Sequence, residues 1–369
     1  MLLIQNLKIN PAVKGSLLEL GAKYEIHNYC TKGANGCIFL GKNKITEAGV
    51  AIKYYYWGGK DKYFAEPKFL ATIQSEYIIR IQDAGIVDKE WAYFVTDFCH
   101  GGDLEDRLNR QSFSQRSAID IIKHVLSGIS VLHSHRMVHC DLKPSNILLK
   151  DDGNPVIGDF GSVKKLPNSA TSVPVSGHTI MYRPPESFLR GEYGFRGDIY
   201  QCGILLYEVL GGYLPITEIE CLNAREKKAY SVLLDSCDRS KFVDEILQKQ
   251  ILKGHILRFN SLPPWVPKQI LTVIRKACRP DPADRYNDPT EFFNDLYRLQ
   301  KYALDWKFED TAAVLEYNSV KYRINNARGR GRLGVEKDCG KGWRNIYSIH
   351  ASSLSKLIAK ISLLATRHN

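Results

Sequence analysis

No Cys-x-x-Cys pair occurs among the nine cysteines of this 369-residue chain, and their number is odd. A zinc ribbon or a disulfide framework needs close, paired thiols, so both are excluded and reduced cysteines are expected. Long apolar runs are missing as well. No stretch is long enough to span a bilayer, and Met1-Leu2-Leu3-Ile4 turns polar too soon for a secretory leader. Together these absences point to a cytoplasmic protein. There is no internal repeat, which excludes a repeat array, and low-complexity sequence is confined to Gly329-Arg330-Gly331-Arg332. Acids are scarce in one region. From Ser319 onward, 11 Lys and Arg face only Glu336 and Asp338, a net of +9 out of +11 for the chain. The basicity belongs to the tail, and an anionic partner should be sought there.

What is present is ordinary for a globular protein: 44% hydrophobic residues, in a chain long enough for more than one core. The first third reads as strands at Tyr24 to Cys30, Gly36 to Gly41, Ala48 to Tyr56, Ile78 to Ile86 and Trp91 to Phe98, where β-branched and aromatic residues lie between turn signals. A short helix is expected from Phe64 to Ile73. Beyond Gly101-Gly102 the spacing turns helical. Ala118, Ile121, Ile122, Val125, Leu126, Ile129 and Leu132 mark a helix over Ser114 to Ser134. Further helices are expected at Asp198 to Leu210, Ala224 to Asp235, Ser240 to Leu252, Pro267 to Ala277 and Pro289 to Leu299. A β-rich beginning and a helical continuation predict an α+β protein in two lobes.

The run Val138-His139-Cys140-Asp141-Leu142-Lys143-Pro144-Ser145-Asn146, followed by Asp159-Phe160-Gly161, carries the chemistry. It supplies one carboxylate able to take a hydroxyl proton, plus an amide and a second carboxylate whose oxygens suit a hard cation. It resembles the catalytic and metal-binding loops of protein kinases. The resemblance extends over about residues 20 to 300 and implies the two-lobed kinase fold: an N-lobe with an N-terminal extension at 1–97, a C-lobe at 98–300 with a helical insert at about 218–260, and a basic accessory module at 301–369.

Carried over position by position, the resemblance makes Asp141 the catalytic base and Lys143 a counter-charge for the moving phosphoryl group. It makes Asn146 and Asp159 the magnesium ligands, with Mn2+ able to substitute. Val50-Ala51-Ile52-Lys53 resembles the strand whose lysine holds the ATP phosphates, with Glu66 as its partner. Thr31-Lys32-Gly33-Ala34-Asn35-Gly36-Cys37-Ile38 resembles the phosphate-covering loop, with Thr31 where the family has a glycine. Thr96, Asp97 and Cys99 resemble the hinge that meets adenine, and Asp103 would lie near the ribose. Gly33, Gly36 and Ile38 belong to that covering loop, and Ala51 would be a further nucleotide-binding position. Asp103 is equally readable as a helix cap. Pro184-Pro185-Glu186 and Arg285 resemble the ion pair that closes the activation segment, and Asp198 the helix aspartate that holds the catalytic loop.

Lys143 and Thr179 resemble the serine/threonine branch, so the expected substrates are protein hydroxyls of Ser and Thr. Cys140 departs from the family, which usually has arginine there, and implies activity without activation-loop phosphorylation. The alternative from another class is a nucleotide-binding, pseudokinase-like scaffold acting through the insert and the tail. In the tail, Tyr317 to Arg323 and Trp343 to Ile349 read as strands and Leu354, Leu357, Ile358, Ile361 and Leu364 as one helix face, a β-β-α module. Within residues 319–369, Arg328, Arg330, Arg332, Lys341 and Arg344 suit nucleic acid or another polyanion; a solvated basic face is the plainer alternative.

Overall fold

The computed structural model describes residues 7, 9–30, 36–58, 68, 71–175, 180–215, 217–310, 312–327 and 332–366. The expected helix from Phe64 to Ile73 lies largely outside them. In chain order the elements begin with α1 (Pro11–Leu20), β1 (Tyr24–Cys30), β2 (Gly36–Asn43), β3 (Gly49–Tyr56), β4 (Ile81–Ile86) and β5 (Trp91–Asp97). Then come α2 (Leu104–Arg110), α3 (Gln115–Ser134), β6 (Met137–Val138), β7 (Ile147–Leu149), β8 (Pro155–Ile157), β9 (Lys164–Lys165) and β10 (Ser172–Pro174). The chain continues through α4 (Pro185–Leu189), β11 (Glu192–Gly194), α5 (Phe195–Val209), α6 (Ala224–Ser231), α7 (Ser236–Leu252), α8 (Lys268–Ala277) and α9 (Pro289–Gln300). It closes with β12 (Asp305–Glu309), β13 (Ala312–Tyr317), β14 (Val320–Ala327), β15 (Arg332–Asp338), β16 (Arg344–Asn345) and α10 (Leu354–Thr366). These elements fall into two compact units, Met1–Leu104 with Ser145–Val163, and Glu105–Pro144 with Lys164–Asn369.

The first unit is built on an antiparallel sheet in the order β1-β2-β3-β5-β4. Side chains alternate across it. Phe39, Ile52 and Tyr54 point to one face, where they are fully buried. α1 supplies Val13 and Leu17 to that cluster, one helical turn apart. Its start is specified locally: the Asn10 side chain accepts from Ala12 N at 2.8 Å and Pro11 occupies the first helical position. Ser16 Oγ meets the Tyr54 hydroxyl at 3.1 Å. The sequence alone marks this segment only as an N-terminal extension.

The second unit is helical around α5, which is buried along almost its whole length. α3 begins at Ser114, whose side chain accepts from Ser117 N at 3.2 Å, and it buries the seven apolar positions read from the sequence. The insert differs from expectation at one point. Asp235 does not end α6; it caps α7, accepting from Cys237 N at 2.7 Å and Asp238 N at 3.1 Å. α7 therefore starts earlier and buries Val243, Leu247 and Ile251, whereas α6 buries nothing.

The tail has more strands than a β-β-α unit. β12 to β16 form a five-stranded antiparallel meander, and α10 follows. The expected strand from Tyr317 to Arg323 is split because Asn318 and Ser319 both take positive φ, 49° and 62°, the requirement of a tight two-residue hairpin. Ser353 stands at the start of α10, accepting from Lys356 N at 3.4 Å. The meander joins the helical unit directly: Trp306 stacks on Trp265 at 6.1 Å and donates through Nε1 to Ser362 Oγ at 3.0 Å. Ser114 Oγ donates to Asp305 Oδ1 at 2.8 Å.

Candidate active site

In the first unit, strand alternation brings several of the proposed nucleotide residues to the sheet face opposite α1. Ile38 pairs with Lys53, and Ala51 pairs with Thr96, so all four share that face. Gly36 lies there too, across from Tyr55. A Cβ at Gly36 would collide with the Tyr54 carbonyl oxygen, so close approach between β2 and β3 demands the glycine. The Lys53 ammonium lies 2.9 Å from Asp159 Oδ1 and 5.5 Å from the centre of the Phe94 ring. Asp159 has φ of 50°, a left-handed turn that aims its half-exposed carboxylate.

Thr96 and Asp97 end β5, and the Asp97 carboxylate accepts from Gln82 Nε2. Phe98 N donates to Gly49 O at 3.0 Å, and Gly102 N to the Cys99 carbonyl at 3.1 Å. Asp103 bridges by its backbone to Leu148 on β7. Asn146, just before β7, is buried, and its carbonyl accepts from Gly158 N at 2.9 Å. Thr31, Gly33, Glu66 and Thr179 lie outside the described residues.

In the second unit the catalytic loop is held by its backbone. Asp198 Oδ2 accepts from His139 N at 2.9 Å and from His133 Nε2 at 2.8 Å, and Oδ1 accepts from Cys140 N at 3.0 Å. Burial alone would raise the Asp198 carboxyl, but these donors, led by His133, outweigh it and hold it below the usual carboxylate range. Asp141 N donates to His139 Nδ1 at 3.3 Å, which makes that ring nitrogen an acceptor. The Lys143 ammonium sits 2.9 Å from Asp141 Oδ2. Cys140 has φ of 70° and is only 1% exposed. It packs with Val138, Leu166, Val173 and Tyr193.

The remainder of the segment is tied down in the same unit. β9 pairs with β6, and β10 pairs with β11. Arg136 donates from one guanidinium nitrogen to Pro167 O and Ala170 O, each at 2.7 Å. Glu186 and Arg285 form a buried two-point pair at 2.7 and 2.8 Å. Tyr182 donates to both oxygens of Glu208 at 3.0 and 3.1 Å, and burial pushes the Glu208 carboxyl up to about 8.

Burial also pushes the Cys37 and Cys99 thiols up to about 11, and Cys140 higher still. None of the three carries thiolate character at neutral pH, which suits packing and not redox control. His133, Tyr193, Gln201 and Glu208 were not singled out from the sequence. Their only signal was a polar residue inside an otherwise apolar helix or turn, and such a residue is visible as special only once its burial is known.

Among the described residues, no group of three or more His, Cys, Asp or Glu side chains could hold a metal alone. This donor set fits magnesium bound to substrate, because that ion keeps waters and takes one or two protein oxygens beside phosphate. No described helix is long and apolar enough to cross a membrane.

Residues 24–297 match the family described as protein kinase domain. Serine/threonine-protein kinase PknL of Mycobacterium tuberculosis is 27% identical over 327 residues, 86% of this chain and 76% of its own. A probable serine/threonine-protein kinase of Dictyostelium discoideum is 32% identical over 221 residues, 52% of this chain and 47% of its own. Serine/threonine-protein kinase Nek6 of rice is 25% identical over 355 residues, covering 94% of this chain and 60% of its own.

Proposed function

This chain belongs to the protein kinase family and acts on serine and threonine; from that premise we propose how its residues divide the work. When bound, ATP supplies the γ-phosphoryl group and magnesium cancels charge on the phosphate oxygens. Lys53 would hold the α- and β-phosphates, with Glu66 as its orienting partner. Asn146 and Asp159 would present oxygen to the metal. Asp141 accepts the proton of the incoming hydroxyl, and Lys143 balances charge beside it. Thr31, Gly33, Gly36 and Ile38 would cover the nucleotide, Ala51 and Thr96 would flank adenine, Asp97 and Cys99 would meet it through their backbone, and Asp103 would serve the ribose. Thr179 would contact the base and the lysine.

The observation that carries this reading is the Asp141–Lys143 contact at 2.9 Å on a loop whose backbone is fixed from beneath. It supports catalysis over scaffolding, because a binding-only chain has no need of a held base. Radiolabelled ATP with a generic protein substrate tests it. Transfer by wild type but not by Asp159→Ala is expected, and equal transfer by both would remove it.

Independence from loop phosphorylation is part of the proposal. Its support is Cys140 in an apolar cluster and Arg136 on backbone carbonyls, contacts that order the segment without a phosphate. Replacing Ser169, Thr171, Ser172 and Ser176 together by Ala should leave activity within about tenfold.

Polyanion binding at the tail is supported by its charge and by the exposure of Lys341 and Arg344. Arg323 is engaged with Glu336, and Arg328 and Arg330 lie outside the described residues. Nucleic-acid binding at low salt that is lost in a Lys341→Glu, Arg344→Glu double variant is expected; binding unaffected by that variant removes the reading. We also propose a cytoplasmic location, supported by the odd, unpaired cysteine count.

A further inference from the structure

The two peptide groups that flank Asp141 are gripped by one side chain. Leu142 N donates to Gln201 Oε1 at 2.8 Å, and Gln201 Nε2 donates to Cys140 O at 3.1 Å. The same nitrogen donates to Tyr182 O at 3.2 Å, and Oε1 also accepts from the Tyr193 hydroxyl at 2.9 Å. Both donors and both lone pairs of this amide are therefore used, at a position with no solvent exposure. Gln201 lies one turn after Asp198 on α5, so one helix face presents both residues to the catalytic loop. Tyr193 ties them together, its hydroxyl also lying 2.9 Å from Asp198 Oδ1.

Asp198 holds the loop on the N-terminal side of the base, through His139 N and Cys140 N. Nothing in that grip fixes the peptides after Cys140. Cys140 itself is left-handed, a strained conformation for a non-glycine residue that persists only when its surroundings over-determine it. Gln201 holds the carbonyl that leaves this strained residue and the amide that follows Asp141. Rotation of either peptide would swing the Asp141 carboxylate, and that rotation is what the amide blocks.

We infer that Gln201 is a positioning residue for the catalytic base, acting through the two peptides that bracket Asp141. Through Tyr182 O it ties that position to the activation segment. The inference rests on Asp141 being the base, as proposed above.

The test compares Gln201→Met, which keeps volume and removes all four bonds, with Leu205→Ala, a buried change one turn further along the same helix. Asp141→Asn is run alongside, with all proteins shown folded at the assay temperature. Gln201→Met is expected to lose tenfold or more in kcat with KM for ATP within twofold, while Leu205→Ala keeps kcat. Amide exchange at Leu142 should speed up in Gln201→Met and not in Leu205→Ala. A kcat for Gln201→Met within threefold of wild type overturns the inference, as does an equal loss in Leu205→Ala. If Asp141→Asn itself retains wild-type kcat, the assignment of the base fails instead, whatever Gln201 does. Should Gln201→Met fail to fold, Tyr193→Phe carries the test. It should lower kcat at least threefold at unchanged KM for ATP, and an unchanged kcat overturns the inference.

Discussion

Lys53 with Asp159, and the catalytic loop with its supports on α5, are held by opposite means. The first includes an ion pair whose Asp159 carboxylate is about half exposed. The second is a buried set of hydrogen bonds in which Asp198 and Gln201 take up backbone groups of the loop and the Tyr193 hydroxyl joins those two side chains. The difference follows from what each must do. In the roles proposed for them, Lys53 and Asp159 have to exchange partners when substrate arrives, so a buried network would be a hindrance. A base must keep one position through every turnover, and buried, fully satisfied polar groups give that rigidity.

Breaking the exchangeable side should affect rate without affecting the fold. Asp159→Ala is expected to lower kcat on the order of a thousandfold, several kcal/mol of transition-state stabilisation, while the melting temperature barely moves. A large melting shift would show that the pair is structural. The buried Arg285–Glu186 pair, also in the second unit, should show the reverse. Arg285 donates to Glu186 twice and to the carbonyls of Arg279, Arg196 and Pro280 at 2.7 to 3.1 Å. Arg285→Ala would strand a buried carboxylate, at a cost of about 3–5 kcal/mol in denaturant unfolding. In the first unit, Leu17→Ala tests whether α1 is part of the lobe. A loss of about 2–4 kcal/mol is expected if the helix closes the core, and almost none if it is an appendage.

The smallest effect concerns pH. Glu208 titrates near 8 when folded and near 4.5 when unfolded, so folding takes up a proton between those values. Stability from this group is therefore greatest at low pH and declines as pH rises from about 4.5 to about 8. Glu208→Gln keeps the acceptor for Tyr182 and cannot ionise. It should match wild type near pH 5 and exceed it in melting temperature above pH 8; a constant difference across that range would contradict the assignment.

Much of this could be read in advance, for reasons specific to each element. Strand alternation in β2 and β3 and the apolar spacing of α3 are local signals, and their boundaries fell within a few residues. Asp141, Lys143, Asn146 and Asp159 are proposed from their order and spacing, because sequence records which groups are present. What it could not record is which side chain reaches which peptide. Gln201 is separated from the loop groups it holds by 59 and 61 residues of chain, and nothing near it or Tyr193 predicts the meeting. Other misses were local signals misread. Asn10-Pro11 is a helix start, Asp235 is a cap and not a continuation, and Asn318-Ser319 is a hairpin turn inside what looked like a single strand. In the tail, short strands with mixed polar faces gave too little periodicity to count five.

The stacking of Trp306 on Trp265 bears on what can be shared among proteins by recombination. The family match ends at residue 297, inside α9, yet the aromatic wall that Trp265 offers is completed only by residues beyond it. Likewise, the match begins at residue 24, after the helix whose Val13 and Leu17 roof the first core. A stretch cut at those limits would carry the catalytic residues but leave two greasy surfaces open to neighbours and chaperones. The inheritable piece is therefore larger than the recognisable one: the flanks must travel with the enzyme, or a new host must supply side chains of the same shape.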